Sequence, residues 1–264
     1  EVVAEAVFGE ATLDSRYVIF SATKPFVAAT VWTLIAEGKV DPAERVVTYF
    51  PEFGGEGKGD ITVEQVMLHT SGFPHAPMGP SVWGGRDARK ARMASWRLNW
   101  EPGTRFEYHP TSAHWVLAEI IDAVTGNDFR DEVEFRVTGP AGLPRILGIA
   151  HEEQADIEDI VLVGEPATPD ELEATFGVRE LPASEVNDEL IIGFNDPDAR
   201  AVGVPGGGGV ARARDLAMFY QEMLHSPAGI WPADGLADWT GRVRNSLPDP
   251  MGTPANRSLG LILA

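Results

Sequence analysis

Four consecutive residues carry the sharpest chemical signal in the chain: Ser21-Ala22-Thr23-Lys24. If Ser21 begins a helix, Lys24 lies one turn on, on the same face. A serine hydroxyl is a weak nucleophile until a base takes its proton, and lysine serves as that base only when burial leaves its amine neutral. The apolar run Phe26–Ala36 that follows makes such burial plausible. The Ser21 amide would then sit near the positive end of the helix dipole, where it can help stabilise an oxyanion. The chemistry implied is acyl transfer through serine. A capped helix with a solvated lysine explains the same four letters equally well, so the spacing alone leaves both readings open.

Tyr108 is the second candidate. It follows the turn Trp100-Glu-Pro-Gly-Thr104 and precedes an apolar helix. A tyrosine beside a lysine cation can have its pKa lowered and relay protons, whereas an aromatic residue in front of a helix ordinarily packs. Other constellations fail on composition. Ser71 and Ser81 lack the flanking glycines of a G-x-S-x-G elbow. His151-Glu152 opens like a zinc motif, but position 155 is alanine. Gly206–Gly209 lacks the Gly-Lys-Ser/Thr ending of a phosphate loop and reads as a tight turn. His109 and His114 have no further ligand near them in sequence. Trp83, Trp96 and Trp100 are candidates to line an apolar acyl pocket, with core packing the default for each.

The elements that must position these residues follow from periodicity. Val2–Phe8 alternates and predicts a half-buried strand, with a second over Arg16–Phe20. A helix over about Ser21–Glu37 is apolar on most sides and therefore central, with Gly38 as its stop. Ile61–His69 predicts a helix with Thr62 as N-cap and Gln65 at N3. Helices are also predicted over Asp87–Leu98, Thr111–Val124 (stopped by Gly126) and Arg214–His225. Residues 151–190 are dense in Asp and Glu, with Arg179 as the only Lys or Arg, and read as a solvated insertion in preference to a lid. Strands at both ends with helices between predict an α+β architecture of two lobes.

The 264 residues are enough to bury a substantial core, and 44% hydrophobic with 23% charged residues is a globular balance. The formal net charge of -19, from 40 acids against 21 bases, excludes most nucleic-acid binding, since that field repels phosphate backbones. No apolar stretch approaches the ~20 residues of a membrane span. The absence of cysteine excludes disulfides and thiolate chemistry, and leaves the compartment undecided; a soluble cytoplasmic protein is set slightly ahead of a secreted one. The chain reads as incomplete at both ends. Glu1 replaces an initiator methionine, and Ser258–Ala264 alternates like a strand cut in mid-course.

Several segments in order resemble the class C β-lactamases and their penicillin-binding-protein-like esterase relatives. Phe20-Ser-Ala-Thr-Lys-Pro-Phe-Val-Ala-Ala29 with Leu34-Ile-Ala-Glu-Gly-Lys-Val-Asp41 resembles that family's nucleophile segment. Ile61–Gly72 resembles its helix and L-x-H-x-S-G turn, a context that makes His69 structural. Pro102-Gly-Thr104 with Phe106-Glu-Tyr108 is similar to the P-G-x-x-F-x-Y approach to its catalytic tyrosine. Gly206–Gly209 with Ala213-Arg-Asp-Leu216 resembles its Gly-rich turn and following helix.

The resemblance implies a single β-lactamase-like domain over 1–264. Residues of about 1–20 and 200–264 would form an antiparallel sheet lobe, with the nucleophile helix 21–38, and about 39–199 a helical lobe. It further implies catalytic roles for Ser21, Lys24 and Tyr108, an acyl-enzyme, a small-molecule ester or amide substrate, and no metal or organic cofactor. Two departures bear on the substrate. The family's Y-x-N or Y-x-S is here Tyr108-His109-Pro110, and proline offers no side-chain hydrogen bond. The K-T-G, H-T-G or H-x-G strand that gives the family its second oxyanion amide has no counterpart near Leu259–Leu263. An esterase fits the first departure better than a β-lactamase or D-Ala-D-Ala peptidase; a ligand-binding member without catalysis is the other alternative.

Overall fold

The computed structural model describes residues 2–180 and 186–263. In chain order its elements are β1 (Tyr17–Val18), α1 (Lys24–Ala36), α2 (Val46–Tyr49), α3 (Val63–Met67), α4 (Arg86–Ala94), α5 (Ser112–Thr125) and α6 (Phe129–Val133). There follow α7 (Pro169–Phe176), α8 (Asp188–Gly193), α9 (Pro197–Val202), β2 (Val210–Ala211), α10 (Ala213–His225) and α11 (Ala233–Gly241).

The core is built around α1. Every residue from Lys24 to Leu34 is buried, as an all-round apolar helix requires. It packs against α5, α6 and α11. Phe26 stacks on Phe219 of α10 with ring centroids 3.7 Å apart. Indole donors fix both flanks: Trp32 Nε1 donates to the Leu259 carbonyl at 2.9 Å and Trp231 Nε1 to the Ala29 carbonyl at 3.0 Å. The capping box at α3 forms as the sequence predicts, with Gln65 N–H donating to Thr62 Oγ1 and Thr62 N–H to Gln65 Oε1. Gly126 closes α5 at φ +77°, the left-handed conformation that a helix stop of this kind needs.

The predicted sheet is where sequence and structure part. Among the described residues the only sheet is the antiparallel pair β1–β2, with Tyr17 opposite Ala211 and Val18 opposite Val210. Of the expected α+β architecture, the described residues form a predominantly helical structure with this small two-stranded sheet. Val2–Phe8 is not a strand; it runs exposed, with Glu5 paired to Arg214 at 3.3 Å. Alternation makes a strand only where a neighbour takes up its N–H and C=O groups, and none does so there. Of the predicted strand Ser258–Ala264, the described residues 258–263 form no strand either, and Ala264 lies outside the described residues. The chain turns at Gly260, at φ +100°, so that Arg257 bridges Ile262. A Cβ at Gly260 would lie 2.6 Å from that of Ala28, so the turn docks directly on α1.

The acidic segment divides. Glu158–Glu180 is exposed throughout except for half-buried Ile160 and Leu172, with Arg179 answering Asp170 and Glu173. Asn187, Glu189 and Leu190 instead help line a pocket of about 500 Å³ together with Trp83 and Trp115. The part of the predicted insertion at 181–185 lies outside the described residues.

Candidate active site

The β1–β2 pair delivers the chain to the head of α1. Just past β1, Ile19 N–H donates to the Gly209 carbonyl at 2.8 Å. Phe20 then takes φ +44°, a region that non-glycine residues seldom occupy and that is characteristic of strained functional turns. A 3₁₀ turn over Phe20–Thr23 leads into α1. The α-helix thus starts at Lys24 rather than at Ser21, and the tighter turn matters because residues i and i+3 eclipse in a 3₁₀ helix. Ser21 is exposed, and Lys24 lies buried beneath it.

Three side chains meet at this point. Lys24 Nζ donates to Ser21 Oγ at 3.1 Å and to the Gly206 carbonyl at 2.6 Å. The Tyr108 hydroxyl donates to Ser21 Oγ at 2.9 Å. Burial pushes the Lys24 amine down to about 7, and the charge of Arg257 adds to the effect. With the amine neutral, the Ser21–Lys24 contact reverses: Ser21 Oγ–H donates to the Nζ lone pair while the Tyr108 hydroxyl still donates to Oγ. Tyr108 does not behave as the sequence suggested. Its pKa is raised, because burial outweighs the hydrogen bond to Ser21 and the charge of Arg257. It rests as a neutral phenol, a proton donor.

Tyr108 is held by two histidines. His109 N–H donates to His69 Nδ1 at 3.0 Å, and the His69 ring packs on that of Tyr108 at 4.9 Å. His69 itself is buried at φ +59° and neutral, chiefly through burial. His109 Nε2 accepts the Phe73 N–H at 3.1 Å, which leaves the ring proton on Nδ1 to donate to the Glu107 carbonyl at 2.6 Å. His69 and His109 therefore tie the His69–Gly72 turn to the tyrosine segment. Among the described residues no group of three or more His, Cys, Asp or Glu side chains could hold a metal ion.

The cleft holding Ser21, Lys24 and Tyr108 has a volume of about 280 Å³ and is also lined by His69, Tyr220 and Arg257. None of the three tryptophans considered for an acyl pocket lines it. Trp83 lines the separate 500 Å³ pocket, Trp96 another of about 300 Å³ beside Arg92, and Trp100 packs beside Arg105 and His109. The Trp83 pocket nevertheless lies close by in the aromatic packing. Phe194 stacks on Trp83 and meets the edge of Phe20, the neighbour of Ser21.

Sequence reasoning overlooked Arg257. Its guanidinium lies 5.6 Å from the Tyr108 ring centroid and 5.3 Å from that of Phe106, and the residue is 8% exposed. Its only local signal was a base heading an apolar run. The Gly206 carbonyl was likewise invisible as an acceptor, although the Gly-rich turn itself was recognised.

The family described as Beta-lactamase matches residues 1–264, and the chain belongs to that family. The esterase/beta-lactamase LipL of Mycobacterium tuberculosis is 31% identical over 126 residues, covering 44% of this chain and 27% of LipL. The chain thus aligns with about a quarter of that relative's length. A family VIII carboxylesterase crystal structure superposes with a TM-score of 0.77 at 26% identity, covering 95% of this chain and 68% of the other. A penicillin-binding protein homologue from Caulobacter crescentus superposes with a TM-score of 0.72 at 24% identity, over 94% and 67% of the two chains. The fold is β-lactamase/transpeptidase-like.

Proposed function

We propose that the chain is a serine hydrolase that works through an acyl-enzyme and acts on small carboxylic esters. One observation carries the reading: Ser21 Oγ stands between Lys24 Nζ and Tyr108 OH, at 3.1 and 2.9 Å, at the mouth of a cleft. Ser21 Oγ attacks the ester carbonyl carbon and passes its proton to neutral Lys24. The tetrahedral intermediate collapses as Tyr108 protonates the departing alkoxide oxygen and recovers a proton from the Lys24 ammonium. Water then attacks the acyl carbon by the reverse relay, releasing the carboxylic acid and restoring the Ser21 hydroxyl.

Two features favour an ester over a β-lactam or peptide. Pro110 supplies no side-chain donor for an amide substrate, and the superposable family VIII structure is a carboxylesterase. The test is intact-mass spectrometry after exposure to a fluorophosphonate, followed by peptide mapping. One adduct on Ser21, lost in Ser21→Ala and strongly slowed in Lys24→Ala, is expected. An unlabelled protein, or a label elsewhere, overturns the reading.

A further inference from the structure

Arg257 is a buried cation that nothing in the described structure neutralises. It takes part in no ion pair and its guanidinium makes no hydrogen bond to a described residue, although acids outnumber bases 40 to 21 in the chain. Its Nε is sealed from solvent and unbonded. Its Cζ lies over the rings of Phe106 and Tyr108, at 5.3 and 5.6 Å from their centroids, contacts that use none of its N–H donors. Burying an unanswered charge is costly, and such groups are ordinarily paired. Here the residue lines the same cleft as Ser21, Lys24 and Tyr108.

We propose that Arg257 is the anion-recognition residue of this cleft and selects substrates carrying a carboxylate close to the scissile ester. The bond broken is that of the esterase reading above, and the charge selected depends on Arg257 alone. A guanidinium offers a planar fork of donors that fits a carboxylate through two parallel hydrogen bonds, and the Phe106 and Tyr108 rings beside it restrict where that fork can lie. Lys24 cannot take this role. Its amine is committed to Ser21 Oγ and the Gly206 carbonyl. The chain's net charge of -19 disfavours anions in general, so attraction of a carboxylate to this cleft would fall to the local cation.

Two matched pairs of esters test the proposal and also report on which side of the scissile bond the carboxylate sits. One pair is mono-4-nitrophenyl glutarate against 4-nitrophenyl pentanoate, with the charge on the acyl part. The other is O-butyryl lactate against its methyl ester, with the charge on the alcohol part. In at least one pair the charged ester should be favoured in kcat/KM by roughly 10–100-fold, the worth of a hydrogen bond to a charged group. That ratio should collapse towards one in Arg257→Met and be partly kept in Arg257→Lys; taking the ratio cancels any general loss of activity or folded protein. No preference in either pair, or a preference that survives Arg257→Met, overturns the proposal.

Failure of the esterase reading is separable. Calorimetric binding of monomethyl glutarate against dimethyl glutarate to Ser21→Ala needs no turnover. Tighter binding of the monoanion there, with no hydrolysis by the wild type, would sink the esterase and keep the anion site. Equal binding of the two, with charged and neutral esters hydrolysed alike, would sink the anion site and keep the esterase.

Discussion

Lys24 Nζ lies 2.6 Å from the carbonyl oxygen of Gly206, a residue 182 positions further along the chain. This contact joins the head of α1 to the Gly-rich turn and fixes the amine under the nucleophile. A carbonyl accepts from either protonation state of the amine, so it positions Lys24 without holding it charged. Burial and Arg257 are then free to bring its pKa down to about 7.

Activity should therefore follow the neutral amine. The Lys24 ammonium cannot accept the Ser21 proton, so kcat/KM for a neutral ester should rise with pH and level off above a midpoint near 7. The groups facing Lys24 that could blur this limb are His69 and His114, both held neutral well below that range by burial, and Tyr108, whose pKa is raised. A pH–rate profile with a limb near 5, or none between 5 and 9, would contradict this assignment of the base.

The same pKa makes a stability prediction. The folded chain holds Lys24 near 7, while its ordinary value is 10.5. Between those values the unfolded chain binds a proton that the folded chain does not, so this group's contribution to stability rises with pH across that window. Below pH 7 both states are protonated and the burial cost is fully present. Lys24→Met removes that cost and should stabilise the protein at pH 6 by about 2 kcal/mol or more while abolishing turnover. Urea denaturation at pH 6 and pH 9 checks both the sign and the narrowing of the difference at higher pH.

Tyr108→Phe should lower kcat by about 10²–10⁴-fold, the usual worth of a positioned proton donor. Because Tyr108 is a neutral phenol in the resting site, the limb near pH 7 should remain in the mutant. Its loss would make Tyr108, not Lys24, the titrating group.

Much of this was legible in the sequence because it is local. Ser21 and Lys24 are three residues apart, the Thr62–Gln65 box closes within one turn, and Gly126 ends its own helix. What could not be read depends on distant partners. Val2–Phe8 and Leu259–Leu263 have strand alternation, but a strand exists only where a second segment supplies its ladder. Arg257 is one base among 21 until the turn at Gly260 places it against the cleft. The direction of the Tyr108 shift depended on how deeply the ring is buried, which a motif does not state.

Lys58 shows a buried lysine in a purely structural place. It is fully buried and donates to the carbonyls of Gly55 at 2.8 Å, Ala94 at 3.1 Å and Trp96 at 2.5 Å, tying the Gly-rich loop to the end of α4. Lys58→Met keeps most of the apolar stem but takes the donor from three carbonyls, of which that of Trp96 is in the buried contact, so a loss of about 1–3 kcal/mol is expected. Chemical denaturation reads this directly, and a change under 1 kcal/mol would show that those carbonyls find other donors.

Gly209 links fold to chemistry most closely. A Cβ there would lie 2.6 Å from Thr23 Oγ1 and 3.1 Å from Thr23 Cγ2, and the Gly209 N–H already donates to that hydroxyl at 2.9 Å. Thr23 is fully buried, one residue before Lys24, so it has little room to yield. Gly209→Ala should therefore push the Gly-rich turn away from the head of α1 and carry the Gly206 carbonyl off Lys24. We expect about 2–3 kcal/mol of lost stability, in the range of overpacked cores, together with a fall in kcat. Adding Thr23→Ala removes both clashing atoms, so the double mutant should regain part of that stability even though the hydrogen bond is gone. A double-mutant cycle with a favourable coupling above about 1 kcal/mol is the expected result. Simple additivity would mean that the turn accommodates a side chain without moving, and the geometric tie between Gly209 and Lys24 would fail.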